Sequence, residues 1–195
     1  MMSRKGILFV ISGPSGVGKG TLRGKLMETP CEDLIYSVST TTRQPRLGEI
    51  EGRDYFFTDA DTFKSLIASG ELLEWAVVYN NYYGTPKKFV LDNLEKGTDV
   101  LLEIDIQGAL KIKNVIPDGV FIFVLPPSVE ELGKRLNARG KDSQLEIERR
   151  LACYDEEIAH LDKYDYMVVN DNILEAAEKI RAIITAERCR VRRMQ

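Results

Sequence analysis

Nine residues near the start of the chain, Gly13-Pro14-Ser15-Gly16-Val17-Gly18-Lys19-Gly20-Thr21, combine glycines with one lysine and two hydroxyls. Glycines permit backbone angles that other residues resist, so successive N–H groups of such a loop converge on phosphate oxygens. A helix starting there adds the positive end of its dipole at the same spot. Lys19 supplies a mobile charge for β- and γ-phosphates. The spacing GxxxxGK between a strand and a helix is that of the Walker A phosphate loop, and it points to a bound nucleoside triphosphate. One position departs from the pattern. The Ser or Thr expected after the lysine is Gly20, and the hydroxyl comes one residue later, at Thr21. No hydroxyl at position 20 can ligate Mg²⁺, which leaves Thr21 to contact a phosphate or to hold the metal through water.

The flanking sequence supplies the elements the loop requires. Ile7 to Ile11 is a continuous apolar run bounded by glycine, the pattern of a strand buried on both faces. A helix is expected from Lys19 to Glu28. Val100 to Ile104, Val120 to Leu125, Tyr166 to Val169 and Ile35 to Ser39 read as further strands. Ser128-Val129-Glu130-Glu131 and Ser143-Gln144-Leu145-Glu146 match the S-x-x-E capping box and predict helix starts. Ile173 to Arg193 has the apolar periodicity of a long C-terminal helix, and its terminal arginines complement the negative end of that helix. Strands alternating with helices predict an α/β fold around a mostly parallel sheet. Residues 40–89 break the rhythm with Pro45, Gly48, Gly52, Gly70, Gly84 and Pro86, dense aromatics, and one helix over 61–69. They read as a small inserted subdomain.

Composition narrows the classes. A chain of 195 residues, 44% hydrophobic, suits one well-packed domain and a small insertion. A net charge of −3 argues against a general nucleic-acid binder. No apolar run approaches the roughly 18 residues of a membrane span. The run at 7–11 is too short for a signal peptide. Cys31, Cys153 and Cys189 are far apart and have only His160 for company, so reduced thiols in a cytoplasmic protein are expected rather than a zinc site or disulfides. His160 receives no role.

Beyond the loop, motifs follow in a fixed order. They are Ser37-Val38-Ser39-Thr40-Thr41-Thr42-Arg43-Gln44-Pro45-Arg46, Gly48-Glu49, Gly52-Arg53-Asp54-Tyr55-Phe56-Phe57 and Glu74-Trp75-Ala76. Tyr82-Tyr83-Gly84-Thr85, Asp105-Ile106-Gln107-Gly108, Pro126-Pro127-Ser128, Arg135-Leu136, Arg139-Gly140 and Val169-Asn170-Asp171 come after them. Over residues 6–172 this closely resembles guanylate kinase. The resemblance implies a P-loop three-layer fold, with a core at about 1–37, 90–127 and 157–195. It also implies a GMP-binding subdomain at about 38–89 and a lid at about 128–156. The activity implied is transfer of the γ-phosphoryl group of ATP, with Mg²⁺, to GMP or dGMP.

The same resemblance distributes roles. Arg43, Arg46, Tyr55 and Tyr83 would bind the GMP phosphate, and two arginines three apart suit forked, charge-assisted hydrogen bonds to one phosphate. A solvated turn around Pro45 is the competing reading. Glu74, Ser39 and Thr85 would face guanine, whose N1–H and 2-amino donors match a carboxylate. Asp105 would hold a metal-bound water or an edge of the acceptor nucleotide, or else cap the next helix. Arg135, Arg139 and Arg150 would come from the lid to neutralise the transferring group. The plain alternative is that Glu131→Arg135 and Glu146→Arg150 are surface ion pairs worth ~0.3–0.5 kcal/mol each. Asn170 would lie near adenine, or form a turn with Asp171 and Asn172. Two other functions compete: a peptide-binding scaffold module, which would lack the intact loop, and a kinase of the same fold acting on AMP, UMP or a phosphorylated sugar.

Overall fold

A computed structural model describes residues 4–28, 33–138 and 144–194, with the side chain of residue 146 outside that description. Five strands form a parallel sheet in the order β2-β7-β1-β8-β9. They are β1 (Leu8–Ser12), β2 (Leu34–Tyr36), β7 (Asp99–Glu103), β8 (Val120–Leu125) and β9 (Tyr166–Val169). Every residue of β1 is buried, because helices cover both faces of the sheet. On one face Phe9, Ile11, Leu101, Ile122 and Val168 pack against Leu22 and Leu26 of α1 (Lys19–Glu28) and Ala177, Ile180 and Ile184 of α8 (Ile173–Arg188). On the other, Leu8, Val10, Val100, Leu102 and Phe121 meet Val90 of α3 (Lys87–Glu95) and Ala109 and Ile112 of α4 (Ile106–Val115).

A second sheet has the order β4-β3-β6-β5, from β3 (Thr40–Thr41), β4 (Phe56–Phe57), β5 (Leu72–Val78) and β6 (Asn81–Pro86). The helix α2 (Ala60–Ala68) starts one residue earlier than its pattern predicts, where Asp59 accepts the Thr62 N–H. A third apolar cluster, Leu132, Leu136, Ile147 and Tyr154, joins α5 (Val129–Ala138), α6 (Gln144–Ala152) and α7 (Tyr154–Ile158).

Three expectations are corrected. The strand expected over 35–39 ends at Tyr36, although the Ser37 N–H still donates to Leu101 O at 3.0 Å. The C-terminal helix ends at Arg188, not Arg193. Its arginines serve buried carboxylates: Arg190 and Arg193 pair with Glu187, and Arg188 with Asp99. At Ser128 only half of a capping box forms. Its hydroxyl accepts the Glu131 N–H at 3.2 Å, while the Glu131 carboxylate turns to Arg135. The Ser143 start and Arg139 lie outside the described residues.

Candidate active site

The loop leaves the C-terminal end of β1, the central strand, on either side of which the chain crosses over in opposite directions. That is where open α/β sheets bind ligands. Gly13 has φ +141°, and a Cβ there would sit 2.2 Å from Val124 O, so the loop can hug β8 only with glycine. Lys19 Nζ donates to Gly13 O at 2.5 Å and to Pro14 O at 3.0 Å, folding the side chain over its own loop. Asn170 is buried and its Nδ2 donates to Val17 O at 2.8 Å. It therefore braces the loop, while the turn-forming role belongs to Asn172, which caps α8.

Two arginines approach the loop from α5 and α6. Arg135 donates from one guanidinium nitrogen to Asn170 O at 2.9 Å and from Nε to Glu131 at 3.2 Å, so the helical ion pair and the inward contact coexist. Arg150, 9% exposed, donates to Ser15 Oγ at 3.1 Å, which takes it out of the class of solvated surface arginines. Thr21 is exposed on the cavity wall, with Gly16, Gly18, Arg135, Asn170 and Asp171 around it.

Across from the loop lies a wall built from residues 46–55. A cavity of about 550 Å³ has Ser15, Lys19, Gly20 and Thr21 on one side and Arg46, Glu49 and Tyr55 on the other. Arg46 is exposed to it. Arg43 stands behind, paired with Glu49 at 2.8 Å and over the Tyr55 ring at 5.3 Å. Burial pushes the Glu49 carboxyl up, but Arg43 and the Arg46 N–H overcome this and hold it below its usual range. Tyr55 and Tyr83 meet edge to face, ring centres 5.9 Å apart. Burial raises the Tyr55 phenol far above its ordinary value, so it stays a neutral donor.

A smaller cavity of about 200 Å³ adjoins, lined by Lys19, Ser39, Glu74, Tyr83, Asp105 and Arg150, among others. Glu74 is 6% exposed, and Thr85 Oγ donates to its Oε1 at 2.7 Å. A Cβ at Gly108 would stand 2.7 Å from Oε2, so a larger residue there would displace this carboxylate. Burial pushes Glu74 up to about 7; Thr85 opposes that and the charge of Asp105 adds to it. Asp105 does cap α4, its Oδ1 accepting from Gln107 and Gly108 N–H.

Sequence reasoning missed three groups here. Glu103 Oε1 lies 3.5 Å from where a Cβ on Gly20 would be, so a carboxylate borders the space left by the missing hydroxyl. Its place at the C-terminal end of a buried strand was the available signal. Glu157 faces the smaller cavity, its carboxyl raised by burial although Lys19 opposes this. Glu49, which closes the turn begun at Arg46, stood in the Gly48-Glu49 motif but was given no role.

The glycine-rich loop with Lys19 thus shares a cavity with a buried carboxylate and with Arg46 and Arg150. The family model described as guanylate kinase matches residues 5–187. The chain belongs to the guanylate kinase family. It is 58% identical over 193 residues to the guanylate kinase of Syntrophomonas wolfei, covering 99% of this chain and 98% of the relative. The guanylate kinase of Caldanaerobacter subterraneus is 56% identical over 192 residues, covering 98% and 93%. The crystal structure of guanylate kinase from Anaplasma phagocytophilum superimposes with a TM-score of 0.85 at 39% identity, covering 100% of this chain and 92% of that one. The reaction of this family is ATP + GMP to ADP + GDP, and this chain is an enzyme of that kind. Among the described residues no helix is long and apolar enough to cross a membrane.

Proposed function

We propose that the two cavities divide the substrates, and that the observation carrying this is Glu74, buried and held by Thr85 behind it, lining the same space as Lys19. Guanine lies against Glu74, Ser39 and Thr85, with Asp105 at its edge. The GMP phosphate takes Arg46, Tyr55, Tyr83 and, once Glu49 yields it, Arg43. ATP occupies the loop 13–21, its base towards Asn170 and its phosphates towards Lys19, Arg135 and Arg150.

The second sheet, over 38–89, is then the GMP-binding subdomain, and 128–156 the lid over a core of 1–37, 90–127 and 157–195. A GMP phosphate oxygen attacks the γ-phosphorus in line, and the protein positions both nucleotides and neutralises charge. Lys19 folds over its own loop and Arg150 reaches the same loop at Ser15, which suits that role. Mg²⁺ would come with ATP and supply charge neutralisation. The Glu103 carboxylate beside Gly20 and the Thr21 hydroxyl are a hard-oxygen set suited to holding it through water. A cytoplasmic setting is supported by the free thiols of Cys153 and Cys189.

Lys19→Ala tests the arrangement: phosphoryl transfer to GMP falls by at least about 10²-fold, with unchanged thermal unfolding. Near wild-type turnover overturns the assignment of the loop.

A further inference from the structure

The tip of the β5–β6 hairpin is built against local preference. Tyr79 and Asn80 have φ values of +46° and +63°, both in the left-handed region. Two-residue hairpin turns of this kind favour Asn or Asp followed by Gly, and a bulky aromatic there is a genuine outlier. The Asn81 side chain donates to Tyr79 O at 2.9 Å and supports the turn, but it does not call for a tyrosine. Strain of this sort is retained where the side chain is used.

The Tyr79 ring reaches out of its own sheet to the other half of the site. The Arg150 guanidinium carbon lies 4.7 Å from the ring centre. Arg150 in turn donates to Ser15 in the phosphate loop. Tyr79 lines the smaller cavity together with Ser15, Lys19, Glu74, Arg150 and Glu157. One line of contacts therefore runs from the hairpin through Arg150 to the loop. The same hairpin carries Glu74 on β5, opposite Thr85, and Tyr83 on β6, opposite Ala76.

We propose that Tyr79 is a positioning residue for Arg150. Its ring face holds the guanidinium over the phosphate loop and ties its placement to the hairpin that grips the acceptor nucleotide. This inference rests on the reading of Arg150 as a charge-neutralising residue. A hairpin seated on GMP sets Arg150, and one that is displaced withdraws the ring beneath it. The ring's π-face is the working part, since a guanidinium is attracted to it wherever water is partly excluded. The phenolic hydroxyl meets the Ser15 side chain, but holding the guanidinium does not require it.

Three variants separate the readings. Tyr79→Gly removes the ring and relieves the left-handed turn, so the protein stays folded. Its kcat falls about tenfold, the fold-change expected for a partly desolvated cation–π contact, with KM for GMP and ATP within about twofold of wild type. Tyr79→Phe keeps the π-face and keeps kcat within about twofold. In an Arg150→Ala background, Tyr79→Gly causes no further loss, because the two side chains act as one unit. A Tyr79→Gly enzyme with unchanged kcat overturns the proposal, as does a Tyr79→Phe enzyme as slow as Tyr79→Gly, or a full additional loss in the Arg150→Ala background. An Arg150→Ala enzyme of normal kcat would instead remove the reading of Arg150 itself, and this inference with it.

Discussion

Replacing Glu74 by glutamine separates what the site needs from what the fold prefers. The side chain is 6% exposed, and its carboxyl is pushed from 4.5 up to about 7 by burial, with Asp105 adding to the effect against Thr85 and Lys111. In the unfolded chain the same group ionises near 4.5. The folded protein therefore binds the extra proton between those values, and stability falls as pH rises through that window. The cost is absent below about 4.5 and fully present above about 7, where it amounts to about 3 kcal/mol. Glutamine fills the same volume, keeps an oxygen to accept from Thr85, and carries no charge. Urea unfolding of both proteins from pH 5 to pH 8 should show Glu74→Gln more stable by about 3 kcal/mol at pH 8 and by less than about 1 kcal/mol at pH 5. In parallel, wild-type affinity for GMP should tighten as pH rises through 7, because guanine's two donors need the ionised carboxylate. A stability difference that stays flat across this range, or a variant less stable at pH 8, refutes the reasoning.

Asp99 is fully buried and accepts from Arg4, from Arg188 at 2.7 Å and from the Ile7 N–H at 2.7 Å. Asp99→Asn should cost about 3 kcal/mol and lower Tm by roughly 6–12 °C in thermal unfolding, since two guanidinium groups lose their counter-charge. Gly13→Ala should abolish measurable ATP binding in calorimetry, because the new Cβ would collide with Val124 O and the backbone angle disfavours it. Wild-type ATP affinity there would mean that the loop is not the phosphate site.

The loop was legible because its signal is local: glycines, a lysine and a helix start, all within nine residues. The strands were legible because a parallel sheet buries both faces and leaves continuous apolar runs, which β1 and β8 display with boundaries within one residue of expectation. What was hidden depends on contacts distant in sequence. Arg188 read as a cation on a helix end, since Asp99 lies about ninety residues away and only the packing of α8 beside the N-terminal segment joins them. Glu103 gained meaning only once β7 was placed beside β1, over Gly20. The Tyr79 turn carried no glycine to announce it. Glu74 was placed by its motif, but its burial and its bond to Thr85 depend on the β5–β6 register and on α4 closing over it.

The most direct measurement is phosphoryl transfer from labelled ATP to GMP, AMP, UMP and CMP under identical conditions. The proposed pairing of Glu74 with N1–H and the 2-amino group predicts that kcat/KM for GMP exceeds that for AMP by about 10⁴-fold, because adenine would leave Glu74 facing a lone pair. Comparable turnover of AMP and GMP would contradict it.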